Sequence, residues 1–350
     1  MSLTESSSRY LFLLFFLLFV MTGCNDNAPD VSGIKISTTI GRFDKFLFEK
    51  MDTVSIQQGA KNLQSAFPYF TNDFVTNILG LSPISPSTPD SVINATLSEL
   101  KHFIHVSRPL YDSLATMYAD ISWLKKELDK SFKYLKYYFP GYKIPKVVTY
   151  VGPFNAPGVA ITNESLAIGL QLYGGKDFSF YTSAEGQETF PLYISRTFEP
   201  QYITANCMKA IEQDLYPGKS GGRPLIEQMI EKGKQWYLLD KFLPTTPDSI
   251  KTGYTRQQLN WCKENEGLIW SYIVKNEDLY SLNPAIIQTY IGEGPFTQGF
   301  SQELSPGNMG QWIGWQIIKK FVSKNPKLKP EEIMNTEASK ILNEAKYKPK

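Results

Sequence analysis

Residues 144–175 read IPKVVTYVGPFNAPGVAITNESLAIGLQLYGG. Three β-rich runs lie in this stretch: Lys146–Val151, Gly158–Thr162 and Ser165–Tyr173. Val, Ile, Thr and Tyr dominate them, and branched or aromatic side chains suit a pleated surface. Asn163-Glu164 separates the last two runs and marks a hairpin. Gly174-Gly175 ends the group. On both sides of this island the apolar spacing turns helical. Strands segregated from helices argue for an α+β fold rather than an alternating βαβ one. The expectation is a mostly helical chain around a small central sheet, antiparallel or mixed.

Upstream, Ile34–Phe48 opens as an extended run. Residues 56–79 carry apolar positions at Ala60, Leu63, Phe67, Phe70, Phe74, Val75 and Ile78, a helical repeat that Pro68 should kink or split. The cluster Pro83–Pro89 breaks the chain. Asp90 then caps a helix to about His105. Pro109 starts a second helix to about Tyr138, and Pro140-Gly141 stops it. Downstream, Gln201–Tyr216, Leu225–Phe242, Thr255–Val274, Pro284–Tyr290, Gly310–Ser323 and Thr336–Ala345 read as helices. The helical N-terminal part therefore runs to about residue 142, the sheet over 144–175 and the helical C-terminal part over 198–346.

The chain has 350 residues, of which 42% are hydrophobic and 14% aromatic, enough to bury a large core. Thirty-six basic and 34 acidic residues leave a formal charge of +2. Without a basic excess, nucleic acid is not an expected partner. Only 2 His and 3 Cys are present, which removes most metal and triad chemistry.

Tyr10–Met21 (YLFLLFFLLFVM) is too short to span a bilayer as a helix, which needs about 20 residues, and has the length of a signal-peptide core. It ends in Met21-Thr22-Gly23-Cys24, which resembles a bacterial lipobox with Met in place of the usual Leu. Small residues at 22 and 23 admit a peptidase, and the Cys24 thiol accepts lipid. Residues 1–23 are then a signal peptide, 24–33 the acylated cysteine and a polar tether, and 34–350 a single globular domain. Two or more acyl chains give stable anchoring, so a lipid bilayer is the first expected partner. An oxidising compartment allows Cys207 and Cys262 to pair. The apolar helical pattern around each suits a buried free thiol.

Local motifs carry little chemistry. His102 and His105 share a helix face, but two imidazoles do not close a zinc site. Pro217-Gly218-Lys219-Ser220-Gly221-Gly222 looks like a phosphate loop. Position 213 is Gln where that motif needs Gly and no strand leads in, so it reads as a surface turn. Tyr134, Tyr137 and Tyr138 interleave with Lys133 and Lys136, a pattern of a helix end packing on a core. The Gly- and Pro-rich loop at 292–300, with Gly294, Pro295, Phe296 and Phe300, is a candidate contact surface together with Ser305-Pro306-Gly307.

Several stretches taken in order carry a family resemblance. They are Gly41-Arg42-Phe43-Asp44, Lys143–Lys146 before Thr149-Tyr150, Ala167–Leu170, and Leu225–Lys234 (LIEQMIEKGK). Leu243-Pro244, Pro247–Ser249, Gly253-Tyr254-Thr255, Trp261-Cys262, Glu266 and Ile269-Trp270 follow. Gly294–Thr297, Ser305–Gly307 and Trp312–Ile317 complete the set. Their order and spacing over about residues 33–348 resemble the gliding-motility lipoprotein GldB family of Bacteroidota. The resemblance implies a lipid-anchored protein of the cell envelope, facing the periplasm, without catalytic activity or cofactor. Other gliding or type IX secretion envelope proteins would be its partners. The family also has members in bacteria that do not glide.

A more distant likeness is to zincin metalloproteases: strands, a hairpin, a helix, then a helix with Glu-x-Gly. An active zincin carries H-E-x-x-H on the first helix. Here Asn206 and Ala210 stand at the two histidine positions, Cys207 at the base and Glu231 at the third ligand. This implies a vestigial cleft on a degenerate scaffold; an ordinary α+β core with a coincident element order accounts for the same pattern. The other functional readings are an envelope ligand- or peptide-binding lipoprotein and a cryptic hydrolase.

Overall fold

The computed structural model describes residues 28–51, 55–276 and 279–349. The expected signal peptide over residues 1–23, and Cys24, lie outside the described residues. Four strands form one mixed sheet in the order β1-β2-β4-β3. They are β1 (Ile40–Arg42), β2 (Lys146–Tyr150), β3 (Val159–Ile161) and β4 (Ser165–Gly169). β1 runs parallel to β2 with Gly41 opposite Val148, and β2 runs parallel to β4 with Val148 opposite Ala167. The hairpin at Asn163-Glu164 makes β3 antiparallel to β4, with Ala160 opposite Ala167. β4 is buried along its whole length, as expected for an inner strand covered on both faces.

Helices of eight residues or more are α1 (Ile56–Ala66), α2 (Asp90–Ala115), α3 (Ser122–Tyr138), α4 (Ile203–Leu215) and α5 (Leu225–Phe242). They continue with α6 (Arg256–Glu264), α7 (Glu266–Asn276), α8 (Pro284–Ile291), α9 (Met309–Lys324) and α10 (Ala338–Ala345). The chain is thus α+β and mostly helical.

Several boundaries differ from the sequence expectation. The extended run at 34–48 keeps strand geometry only over Ile40–Arg42; Phe43–Lys50 is helical because Phe43, Leu47 and Phe48 turn to one buried side. Residues 56–79 split beside Pro68, as its missing N–H requires, into α1 and the turns Thr71–Asp73 and Phe74–Ile78. Pro109 does not start a helix but lies inside α2. Such a proline costs roughly 3 kcal/mol. The flanking residues offset it: Tyr111 stacks on Phe48 at 4.7 Å, and Arg108 lies over the same ring. The break comes instead at Asp120, whose carboxylate accepts from the Ser122 amide and hydroxyl and opens α3. The helix expected over 255–274 divides at Asn265 into α6 and α7. Three short helices at Ser179–Thr182, Ala184–Thr189 and Leu192–Ser195 join the sheet to α4, in a segment without a clear repeat.

Phenylalanines pack one side of the sheet. Phe70 and Phe74 meet the Tyr150 ring at 5.8 and 6.0 Å, and Phe43 meets both phenylalanines. α4 packs on β3 and β4. Behind α4, helices α5 and α9 form the most extensively packed helix pair. Their backbones touch: a Cβ on Gly314 would lie 1.7 Å from the Met229 carbonyl oxygen, and one on Gly233 would lie 2.2 Å from the Gly314 carbonyl carbon. Only glycine permits that crossing. Lys251, 5% exposed, is held against α5 by Asp240 and pairs with Asp248 of its own short helix at 2.9 Å, while Asp240 also accepts from the Trp315 indole at 2.9 Å. Cys207 and Cys262 are buried free thiols, not a disulfide. No helix among the described residues is long and apolar enough to cross a membrane.

Candidate functional site

α4 carries the three positions of the vestigial cleft. Its apolar stripe, Ile203, Cys207, Met208 and Ile211, is fully buried and fixes the rotation of the helix against the sheet. Asn206 and Ala210, four residues apart, share a half-buried face. The Asn206 amide nitrogen donates to the Tyr173 hydroxyl at 2.9 Å, so it braces the end of the sheet. Ala210 has no donor atom. Cys207 is completely buried, and burial pushes its thiol far above the usual range. A neutral, enclosed thiol is neither a general base nor a nucleophile.

Glu231 lies elsewhere. Its carboxylate accepts from Lys234 Nζ at 2.7 Å. Lys234 is 2% exposed and also donates to the carbonyls of Met334 and Thr336 at 3.2 and 2.7 Å. The cavity that Glu231 lines receives Glu212 from α4, not Asn206 or Ala210. Glu212 is two residues beyond Ala210, about 200° around the helix axis. The structure therefore does not bring the vestigial residues together. Zinc does not fit them: an amide engaged by a tyrosine, a methyl group and an ion-paired carboxylate make no ligand set. Among the described residues, no group of three or more His, Cys, Asp or Glu is placed to hold a metal.

Glu212, not singled out from the sequence, is the most perturbed carboxyl of the cavity. It is 2% exposed and accepts no hydrogen bond from a described residue; burial pushes its pKa up to about 8, partly offset by Lys232. A signal was present: Met208, Ile211, Glu212 and Leu215 follow the i, i+3, i+4, i+7 repeat, so a carboxyl sits within an apolar stripe.

The candidate contact loop is a braced surface feature. A Cβ on Gly307 would meet the Gly294 carbonyl oxygen at 2.2 Å, so the two ends of the loop touch backbone to backbone. Thr297, fully buried, donates to the Pro306 carbonyl at 2.8 Å. Asn308, in left-handed conformation at φ 43°, donates to Glu293 at 3.1 Å and accepts from Tyr254 at 2.7 Å. Pro295 is exposed and Phe296 half-buried, whereas the Phe300 ring packs against Trp261 and Tyr272 at 6.1 and 4.7 Å. Rigid backing with an exposed tip suits a contact surface. Lys209 of α4 is half-buried beside this loop; burial lowers its pKa, and the Glu293 carboxylate opposes that shift.

The braced elements fall within stretches that carry the family resemblance: Glu231–Lys234, Gly253-Tyr254, Gly294–Thr297, Ser305–Gly307 and Trp312–Trp315. Residues 24–349 match the family model described as gliding motility protein GldB. The chain belongs to the GldB family. Comparison with curated proteins and with solved structures gives no match. The GldB match begins at Cys24 and covers the sheet, the cavity and the loop alike. It is a lipoprotein family, and a lipid anchor fits the lack of a membrane-spanning helix among the described residues.

Proposed function

We propose that this GldB-family protein is a non-catalytic lipoprotein, anchored through acylated Cys24 and facing the periplasm, that gliding motility or the associated secretion machinery requires. The observation that carries this reading is the family match over residues 24–349. The site geometry agrees with it: Asn206 ties α4 to the end of the sheet, Lys234 ties α5 to the Met334–Thr336 turn with Glu231 as its counter-ion, and Cys207 is sealed in the core. Work is done at surfaces, with the Pro295–Phe296 tip facing other envelope proteins and the lipid holding the chain at the bilayer. A markerless deletion in the source organism tests this, scored for single-cell movement and for the secreted proteome. Loss of either, restored by the wild-type gene and by Glu231→Gln and Asn206→Ala alleles at equal protein level, is expected. Normal movement and secretion in the deletion strain overturn the role. Failure of the Glu231→Gln allele at normal protein level overturns the non-catalytic reading.

A further inference from the structure

The cavity beside Glu231 has a chemistry that the role above leaves unused. It lies between the C-terminal end of α4, the loop at 216–223, α5 and the turn ahead of α10, and measures about 110 Å³. A water needs only about 10–15 Å³ by this kind of measure, so the space takes a compact polyatomic ligand.

Its charges are unevenly satisfied. Glu231 is neutralised by Lys234, and Glu337 faces Arg223 at 3.4 Å. Lys219 and Lys232 also line the cavity, and the ammonium group of neither makes a hydrogen bond or ion pair with a described residue; the Lys232 carbonyl accepts from Gln311 at 3.1 Å. The loop Pro217–Gly222 adds neutral donors: the amides of Gly218, Lys219 and Ser220 reach no protein acceptor among the described residues, and Gly222, at φ 72°, turns the chain back. Glu212 also lines the cavity. Its carboxyl is buried without a partner and stays protonated at neutral pH, so it can donate. Two free ammonium groups, loop amides and a neutral carboxyl surround one small space, and every ionised carboxylate on its wall already has a cation.

We propose that this cavity binds a phosphoryl oxyanion, either free phosphate or the phosphate of an anionic lipid headgroup, on Lys219, Lys232, the loop amides at 218–220 and Glu212. A tetrahedral anion offers acceptor oxygens in several directions, which matches donors from α4, the loop and α5; a planar carboxylate offers two. The wall cations keep the anion, and the neutral Glu212 does not repel it.

The test uses the full-length lipidated protein in detergent, titrated calorimetrically with inorganic phosphate, with soluble short-chain phosphatidylglycerol and with acetate. Saturable phosphate binding, at least about tenfold weakened in a Lys219→Gln/Lys232→Gln double variant of unchanged melting temperature, is expected. Phosphate binding without the short-chain lipid assigns the site to a free ion, and binding of both assigns it to a headgroup. Sulfate then isolates the acid, because its own charge is constant over about pH 6 to 9. Lys232, Lys234 and Glu231 of α5, Lys219 and Arg223 of the loop, and Glu337 ahead of α10 line the cavity with Glu212. Sulfate binding should weaken as Glu212 ionises above about pH 8 in the wild type and persist in Glu212→Gln. No saturable phosphate binding, acetate bound as tightly as phosphate, or an undiminished double variant would each overturn the proposal.

Discussion

Gly314→Ala is the sharpest probe of the fold, because it places a methyl group where two helix backbones touch. The new Cβ would sit 1.7 Å from the Met229 carbonyl oxygen and 2.4 Å from its carbon. An ordinary carbon–oxygen contact needs about 3.3 Å, so α5 and α9 must part by roughly 1.5 Å. Neither atom belongs to a side chain that can rotate away. A gap of about 0.5–1 Å already forfeits a quarter to a half of a dispersion well. This seam also holds Met229, Ile230, Trp312, Ile313 and Ile317, each at most 1% exposed. Overpacking commonly costs about 1–3 kcal/mol, and a backbone-on-backbone clash belongs above that range, at about 3–5 kcal/mol. The better helix propensity of alanine returns about 1 kcal/mol. The net loss is about 2–4 kcal/mol, or a melting temperature lower by roughly 3–6 °C. Thermal melts followed by circular dichroism, with Gly141→Ala as control because a Cβ there meets nothing within 4 Å, measure it. A Gly314→Ala protein melting within a degree of wild type would refute the crossing.

Other outcomes follow from the buried charges and thiols. Lys251→Met removes the buried cation that Asp240 and Asp248 share and should cost about 1–3 kcal/mol in urea unfolding, more than Asp248→Asn. The folded state keeps a proton on Glu212 that the unfolded chain releases above about pH 4.5. Stability should therefore fall as pH rises from about 4.5 to about 8, by at most about 5 kcal/mol, and Glu212→Gln should flatten that slope in melts across the window. Cys207 and Cys262 should resist a thiol reagent in the folded protein and react in denaturant, both titrating as free thiols by mass spectrometry; rapid labelling of Cys207 in the native state would contradict its placement.

The sheet was readable because β2 and β4 are runs of branched residues and Asn163-Glu164 marks the turn between β3 and β4. The strand order was not, since β1 joins β2 across more than a hundred intervening residues. Pro109 misled because local stereochemistry is outweighed by Arg108 and Tyr111 packing on Phe48, contacts 60 or more residues away in sequence. Asp120, which accepts from Ser122 at the start of α3, hid in a segment that reads as continuous helix. At the site, Glu231 stood out as the third-ligand position of the zincin-like order, but its actual partner is Lys234 of the same helix, not α4. Glu212 could be found only by asking why an acid occupies an apolar stripe. Gly233 and Gly314 were visible as parts of motifs; the reason for them, a backbone contact between helices distant in sequence, needs the tertiary structure.

The central claim is that a lipid on Cys24 holds a motility component at the membrane. The most direct measurement is complementation of the deletion strain with wild-type and Cys24→Ala genes, each followed by palmitate labelling, fractionation and single-cell tracking. The account predicts that the wild-type protein is labelled, membrane-bound and restores movement, while the Cys24→Ala protein is unlabelled, leaves the membrane fraction and does not. An unlabelled Cys24→Ala protein that restores full movement would contradict it.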